Sequence, residues 1–195
     1  MTTDRRELLC DCAIVVLARA GARGLSHHKV DDEAGIARGS TSYYYRTRAA
    51  LIEAVLERVT QLDLLDVLSI NETGNLSIAD AAKLIRSWLL EPRIERTIAK
   101  HELFLVGARD EELAEKLSQN RKMMVQIISN SAQKLVPHRV PPDELLRAAN
   151  MASWLIDGIM FTVVRERSSP PPEQELRRDL ENILKLATTT EAQPS

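Results

Sequence analysis

The stretch that decides the fold runs from Ser26 to Tyr45 and reads SHHKVDDEAGIARGSTSYYY. It reads as two short helices joined by a tight turn. Ser26 has the side chain of a helix N-cap, a hydroxyl that can accept a hydrogen bond from an N–H left over at a helix start. The run Glu33-Ala34-Gly35-Ile36 ends the first helix. Gly35 takes the positive-φ position at a helix end cheaply, and Ile36 drops an apolar side chain into the angle between the helices. The second helix is expected to start near Ala37 or Arg38 and to carry Gly39, Ser40, Thr41, Ser42, Tyr43 and Tyr44. Its surface is small, hydroxylated and aromatic, with Arg38 at its start and Arg46 and Arg48 just beyond its end. Such a helix can enter a DNA major groove and hydrogen-bond there, because it has no bulky apolar face to bury.

The run from Gly35 to Ser40, then Tyr43-Tyr44-Tyr45 and Thr47-Arg48-Ala49-Ala50-Leu51-Ile52, resembles the N-terminal domain of TetR-family transcriptional regulators. That pattern is an Ala-Gly-aliphatic turn, a small-residue recognition helix ending in aromatics, and a Ser/Thr-Lys/Arg pair opening the next helix. The resemblance implies an all-α homodimer. Residues 3–50 would be the helix-turn-helix unit on double-stranded operator DNA, and residues 51–190 the effector-binding and dimerisation domain. It also implies a repressor released from its operator by a small molecule. The DNA contacts are expected from His28, Lys29, Arg38, Gly39, Ser40, Thr41, Tyr43, Tyr44 and Arg48, with Tyr45 in the core. One departure stands out. Asp31 occupies a position where the family usually has a small residue, and Asp31-Asp32-Glu33 forms an acidic run beside the expected DNA surface. Either those carboxylates weaken the attraction for DNA, or they cap and pair locally.

Bulk composition sets the frame. The chain has 195 residues, of which 44% are apolar and 4% aromatic, enough for one or two domains with a real core. A net charge of −2 is not by itself a nucleic-acid signature, so its distribution matters. Residues 1–50 hold eight basic and six acidic side chains; the remainder holds 18 basic and 22 acidic. The basic excess is mild and falls where the motif does. Cys10 and Cys12 lie two apart on a predicted helix and point in different directions, so they cannot pair there with each other. Free thiols point to a reducing cytoplasm, and buried structural cysteines are favoured over redox sensors. The charged N-terminus and the short apolar run Ala13–Ala18 do not read as a signal peptide.

In chain order, about nine helices are expected. The first spans Asp4–Ala20, with Gly21 and Gly24 ending it, and the two helices of the opening stretch follow. Thr47 caps a fourth that runs to about Leu68. Asn71–Asn75 is a loop, and Ser77 caps a fifth. At Glu91-Pro92 a sixth restarts, proline fitting the first helical position; its inward stripe is read as Ile94, Ile98, His101, Leu105 and Ala108. The seventh runs from Asp110 to about Val136, the eighth from Pro142 to Arg167, and the ninth from Glu173 to Ala187, with Pro137–Pro142 as a break. Thr188–Ser195 is a polar tail.

The eighth helix is apolar almost all round from Ala148 to Val164, yet it is too short for a membrane span and contains Asn150 and Asp157. A helix apolar on every side must be covered on every side. Together with the ninth it is expected to form a dimer seam of Ala152, Ile156, Gly158, Ile159, Val163, Leu176, Leu180 and Ile183. The effector pocket is expected among Trp88, His101, Phe104, Asn120, Met123, Met124, Ile127 and Trp154, because aromatics, methionines and a few polar groups on apolar stripes suit a small-molecule site. Asp157 is read at the seam rather than in the pocket. The scattered histidines show no metal-ligand spacing. No phosphate-binding glycine loop, nucleophile elbow or paired carboxylates appear, so neither a cofactor nor a catalytic site is expected. Two rival readings stand beside the regulator: an all-helical enzyme that kept a helix-turn-helix, and a DNA-binding architectural protein that needs no ligand.

Overall fold

The computed structural model describes residues 5–72, 77–136 and 139–188. Among them are nine α-helices: α1 (Arg5–Gly24), α2 (His27–Glu33), α3 (Ser40–Tyr44), α4 (Arg48–Glu72), α5 (Ile78–Ser87), α6 (Ile94–Gly107), α7 (Glu111–Ala132), α8 (Pro142–Glu166) and α9 (Glu173–Thr188). A single 3-10 turn, Gln133–Leu135, follows α7. The described residues contain no strand, so the fold class is all-α as the periodicity predicts. Asn71 and Glu72 continue α4 rather than opening a loop; residues 73–75 of that expected loop lie outside the described residues, as do Asp4, Pro137, His138 and the tail from 189. No described helix is long and apolar enough to cross a membrane.

The hydroxyl caps read from the sequence are in place. Ser26 Oγ accepts from Lys29 N–H at 3.4 Å, Thr47 Oγ1 from Ala50 N–H at 3.1 Å, and Ser77 Oγ from Asp80 N–H at 3.1 Å. Asp110 does the same for α7 through Leu113 N–H. At Glu91-Pro92 the structure departs from expectation: Pro92 lies in a turn and α6 starts at Ile94.

The helices pack as two compact units, Met1–Asp63 with Glu91–Ser118, and Leu64–Leu90 with Gln119–Ser195. The boundary falls inside α4. This partition differs from the 3–50 and 51–190 division read from the sequence, because α6 and the start of α7 complete the core of the first unit. That core joins Leu9, Ala13 and Leu17 of α1 to Val30 of α2, Leu51, Val55 and Val59 of α4, and Ala99 and Leu103 of α6. The inward stripe of α6 is therefore rotated from the expected one. Arg96, Ala99, Leu103 and Gly107 face in, while Leu105 and Phe104 are exposed. The reason is polar. Asp63 is buried and takes Arg96 Nε at 3.2 Å and Lys100 Nζ as partners, and a buried carboxylate demands such partners more strongly than Leu105 demands cover.

The second unit has its own core, made by Val67 of α4, Ala82, Leu84 and Ile85 of α5, Trp88 and Leu89, Met160 and Val163 of α8, and Leu176 of α9. Met124, Ile127, Ile156, Ile159 and Leu180 pack along its edge.

Candidate nucleic-acid interface

The expected helix-turn-helix is α2 and α3. Between them Gly35 sits at φ +63° and Gly39 at φ +97°, backbone that glycine adopts without strain. Gly39 is thus the residue before α3, and the helix is shorter than the one read from the sequence, five residues beginning at Ser40. Tyr45, just after it, turns inward. It is buried, its hydroxyl lies 3.1 Å from Cys10 Sγ, and its carbonyl accepts from His27 Nε2–H at 2.6 Å. Cys10 is buried and Cys12 half-buried, and burial pushes both thiols above their ordinary pKa, as suits structural cysteines.

The acidic run is spent inside the unit. Asp31 is fully buried. Its Oδ2 accepts from Gly39 N–H at 2.8 Å, and its Oδ1 from Thr41 N–H at 2.7 Å and from the Thr41 hydroxyl at 2.6 Å. Burial pushes this carboxyl up, but the bonds from Thr41 and Gly39 outweigh burial and hold it below the ordinary aspartate range. Asp32 pairs with Arg38 through two bonds of 3.2 Å, and Glu33 pairs with Arg19. Of the two readings offered above, local capping and pairing is the one the geometry supports.

On the outer side, Tyr43 is 80% exposed and meets the half-buried Tyr44 edge to face at 5.2 Å. The Arg6 guanidinium lies 5.8 Å from the Tyr44 ring centre. Arg5, Ile36, Ala37, Arg38, Gly39, Ser40, Tyr43 and Tyr44 line one open cleft. His28, Lys29, Arg38 and Arg48 are exposed; Arg48 also donates to the Ala22 carbonyl. Ser40 turns its hydroxyl to the Ala37 carbonyl. One expected contact is not available: Thr41 is fully buried with its hydroxyl on Asp31, so it cannot reach a base edge. Arg5 and Arg6 were missed by the motif, which starts after them. Their signal was two adjacent cations at the start of the first helix.

The expected effector residues divide between the units. His101 and Phe104 belong to the first, where His101 Nδ1–H donates to the Thr97 carbonyl at 2.8 Å and Phe104 is exposed beside it. The others belong to the second. Trp88 is buried and donates from Nε1 to Asp66 Oδ2 at 2.8 Å; Met124 and Ile127 edge the core; Asn120 is half-buried and Met123 exposed. Trp154 is 63% exposed, with the Arg121 guanidinium 5.8 Å from its ring. Arg121 also donates to Ser153 Oγ and Asp157 Oδ2, each at 2.9 Å. Asp157 thus has a cationic neighbour within its own chain.

The expected seam residues need the same correction. Ala152, Val163 and Leu176 are buried within the chain itself, and Ile156, Ile159 and Leu180 pack against the core of the second unit. Ile183 is half-buried. Of the expected seam residues on α8, Gly158 is the one turned outward, and Trp154 and Phe161 are exposed with it. An apolar stripe shows that a face is covered, and for these residues the cover lies within the chain's own core.

No protein-family model matches the sequence, and no curated protein matches it. Solved structures do. A TetR-family member from Streptomyces coelicolor A3 superposes with a TM-score of 0.72 at 23% identity, over 93% of this chain and 98% of that one. A transcriptional regulator from Rhodococcus sp. Rha1 gives 0.75 at 18% identity, over 97% and 100%. The multidrug binding protein EbrR, complexed with ethidium, gives 0.66 at 23% identity, over 94% and 99%. At these identities the likeness concerns architecture, and it extends over nearly the whole of each chain: the protein has the fold of the TetR-family transcriptional regulators.

Proposed function

We propose that the chain is a double-stranded-DNA-binding transcriptional regulator, a cytoplasmic repressor that works as a homodimer and leaves its operator when a small molecule binds. The observation that carries this reading is α3. It presents the exposed Tyr43 and small polar residues outward, with Arg38 and Arg48 around it, while Asp31, Thr41 and Tyr45 anchor it from inside. Such a face is suited to a major groove, and cations around it are suited to phosphates. Residues 3–50 would be the DNA-binding part and 51–190 the effector and dimer part. The likeness to EbrR, a multidrug binding protein solved with malachite green and with proflavin, supports an aromatic small molecule as the effector class. In a dimer, two recognition helices must reach successive major grooves about 34–36 Å apart. A ligand that prefers another tilt of α4 changes that spacing, and shifts the population only by its differential affinity for the two states.

The test is selection from random double-stranded DNA with the purified protein. A two-fold symmetric site with half-sites about one helical turn apart is the expected product; no enrichment overturns the reading. A second reading, DNA binding without a ligand, is favoured by His101 and Trp88 already having internal partners. Titration with malachite green, once without DNA and once with the operator bound, separates the two. Saturable quenching of Trp88 or Trp154, with loss of operator binding over the same range, supports the effector. No change in either favours the second reading.

A further inference from the structure

We propose that Asp31 sets the sequence specificity of the DNA-binding face by fixing α3 in one orientation on α2, as a positioning residue that never touches DNA. The proposal rests on the DNA-binding reading above and names the part of it that discriminates between sequences.

α3 has five residues. A helix that short does not hold itself, because the first turn fixes several residues for one hydrogen bond. Its first N–H groups have no intrahelical acceptor, and Gly39, at the N-cap, has no side chain to offer. Asp31 supplies the cap from the neighbouring helix. One carboxylate oxygen takes Gly39 N–H, and the other takes the N–H and the hydroxyl of Thr41. Two oxygens bound to two residues that flank the helix start restrain its rotation as well as its position; one bond alone would leave α3 free to swivel. Asp31 and Thr41 are fully buried, so water does not replace a bond lost between them. A carboxylate at a helix N-terminus also faces the favourable end of the helix dipole.

Phosphate contacts and base contacts depend on this restraint differently. Lys29 and Arg48 lie outside α3 and are exposed, and attraction to phosphates carries no sequence information. Base contacts require Tyr43 and its neighbours to meet base edges in one register. Releasing α3 therefore removes base readout and leaves attraction to the backbone.

The test uses Asp31→Asn, which keeps the shape but replaces one acceptor oxygen with an amide that faces an N–H. Affinity is measured for the sequence selected by the wild type and for a scrambled duplex of the same length, across several salt concentrations. The expected result is a loss of about tenfold or more on the selected sequence. Affinity for the scrambled duplex stays within about twofold, with an unchanged salt slope. Thr41→Val removes one of the three donors and should reproduce part of the loss, while Thr41→Ser keeps the hydroxyl and should restore specificity. Equal losses on both duplexes, or no loss on either, overturn the proposal. If Asp31→Asn fails to fold, the Thr41 pair decides, and equal specificity of the Val and Ser variants overturns it. A wild type that selects no sequence overturns the DNA-binding reading itself, and that outcome is visible before any variant is made.

Discussion

Asp31 and Asp63 are both buried, and they meet the cost of burial in different ways. Asp63 sits between Arg96 and Lys100, whereas Asp31 accepts from backbone N–H groups and a hydroxyl. Removing the carboxylate of Asp63 takes away the buried anion that Arg96 and Lys100 share. Asp63→Ala should therefore lower stability by about 3–5 kcal/mol, read from urea unfolding; a loss below about 1 kcal/mol would show the cluster to be well hydrated. For Asp31 the informative variable is pH. Its folded pKa lies below the usual value, so its contribution is complete above the unfolded value of about 3.9 and is lost as pH falls through the folded one. Asp31→Asn should cost about 1–3 kcal/mol at neutral pH. The gap from the wild type should narrow below about pH 4. A constant gap across that range would mean that the charge contributes nothing.

The recognition element shows how a short helix divides its residues. Over Ser40–Tyr44, Thr41 turns in and Tyr43 turns out, and Tyr45 follows inward. Tyr43→Ala should then change stability by no more than about 0.5 kcal/mol, as for a surface substitution, while weakening operator binding by about tenfold. Thermal unfolding and a binding titration on the same samples check this; an equal operator affinity would remove Tyr43 from the interface. Arg48→Ala should weaken binding to every DNA sequence and reduce the salt slope by about one. An unchanged slope would mean that the Ala22 carbonyl already occupies this guanidinium fully. The turn, its glycine and the Ser26 cap were all legible, because each depends on neighbours within a few residues. The cap from Asp31 was legible only as one of two alternatives, since its donors lie eight and ten residues further along the chain, beyond the turn. The rotation of α6 has the same origin: Arg96 looks like a surface residue until Asp63 of α4 lies against it.

For the whole molecule, the prediction concerns assembly. On α8, Trp154, Gly158 and Phe161 face outward, and a Cβ added at Gly158 meets nothing within 4 Å in the protomer. Gly158→Leu should leave the protomer folded and block the close approach of a second copy. The wild type is expected to sediment as a dimer at micromolar concentration and the variant as a monomer. A monomeric wild type, or a variant that still dimerises with unchanged affinity, overturns an α8 seam. The Cys10 and Cys12 pair adds no covalent link to this picture, as both are free thiols.

Periodicity and local chemistry by themselves determined the all-α class, the order of the helices, the α2–turn–α3 unit and the hydroxyl caps. These are contacts between residues close in the chain, and the residues at issue state their own preference. Only the tertiary structure decided which side is used where a buried polar group or a distant helix is involved. It placed Thr41 inside and Asp31 beneath it, turned Arg96 inward and Leu105 outward, and gave Ala152, Val163 and Leu176 to the protomer's core rather than to a seam. A stripe of apolar residues records that a face avoids water, but it does not record what covers that face. Partners for a buried charge come from helices distant in sequence, and their identity exists only once the chain has folded.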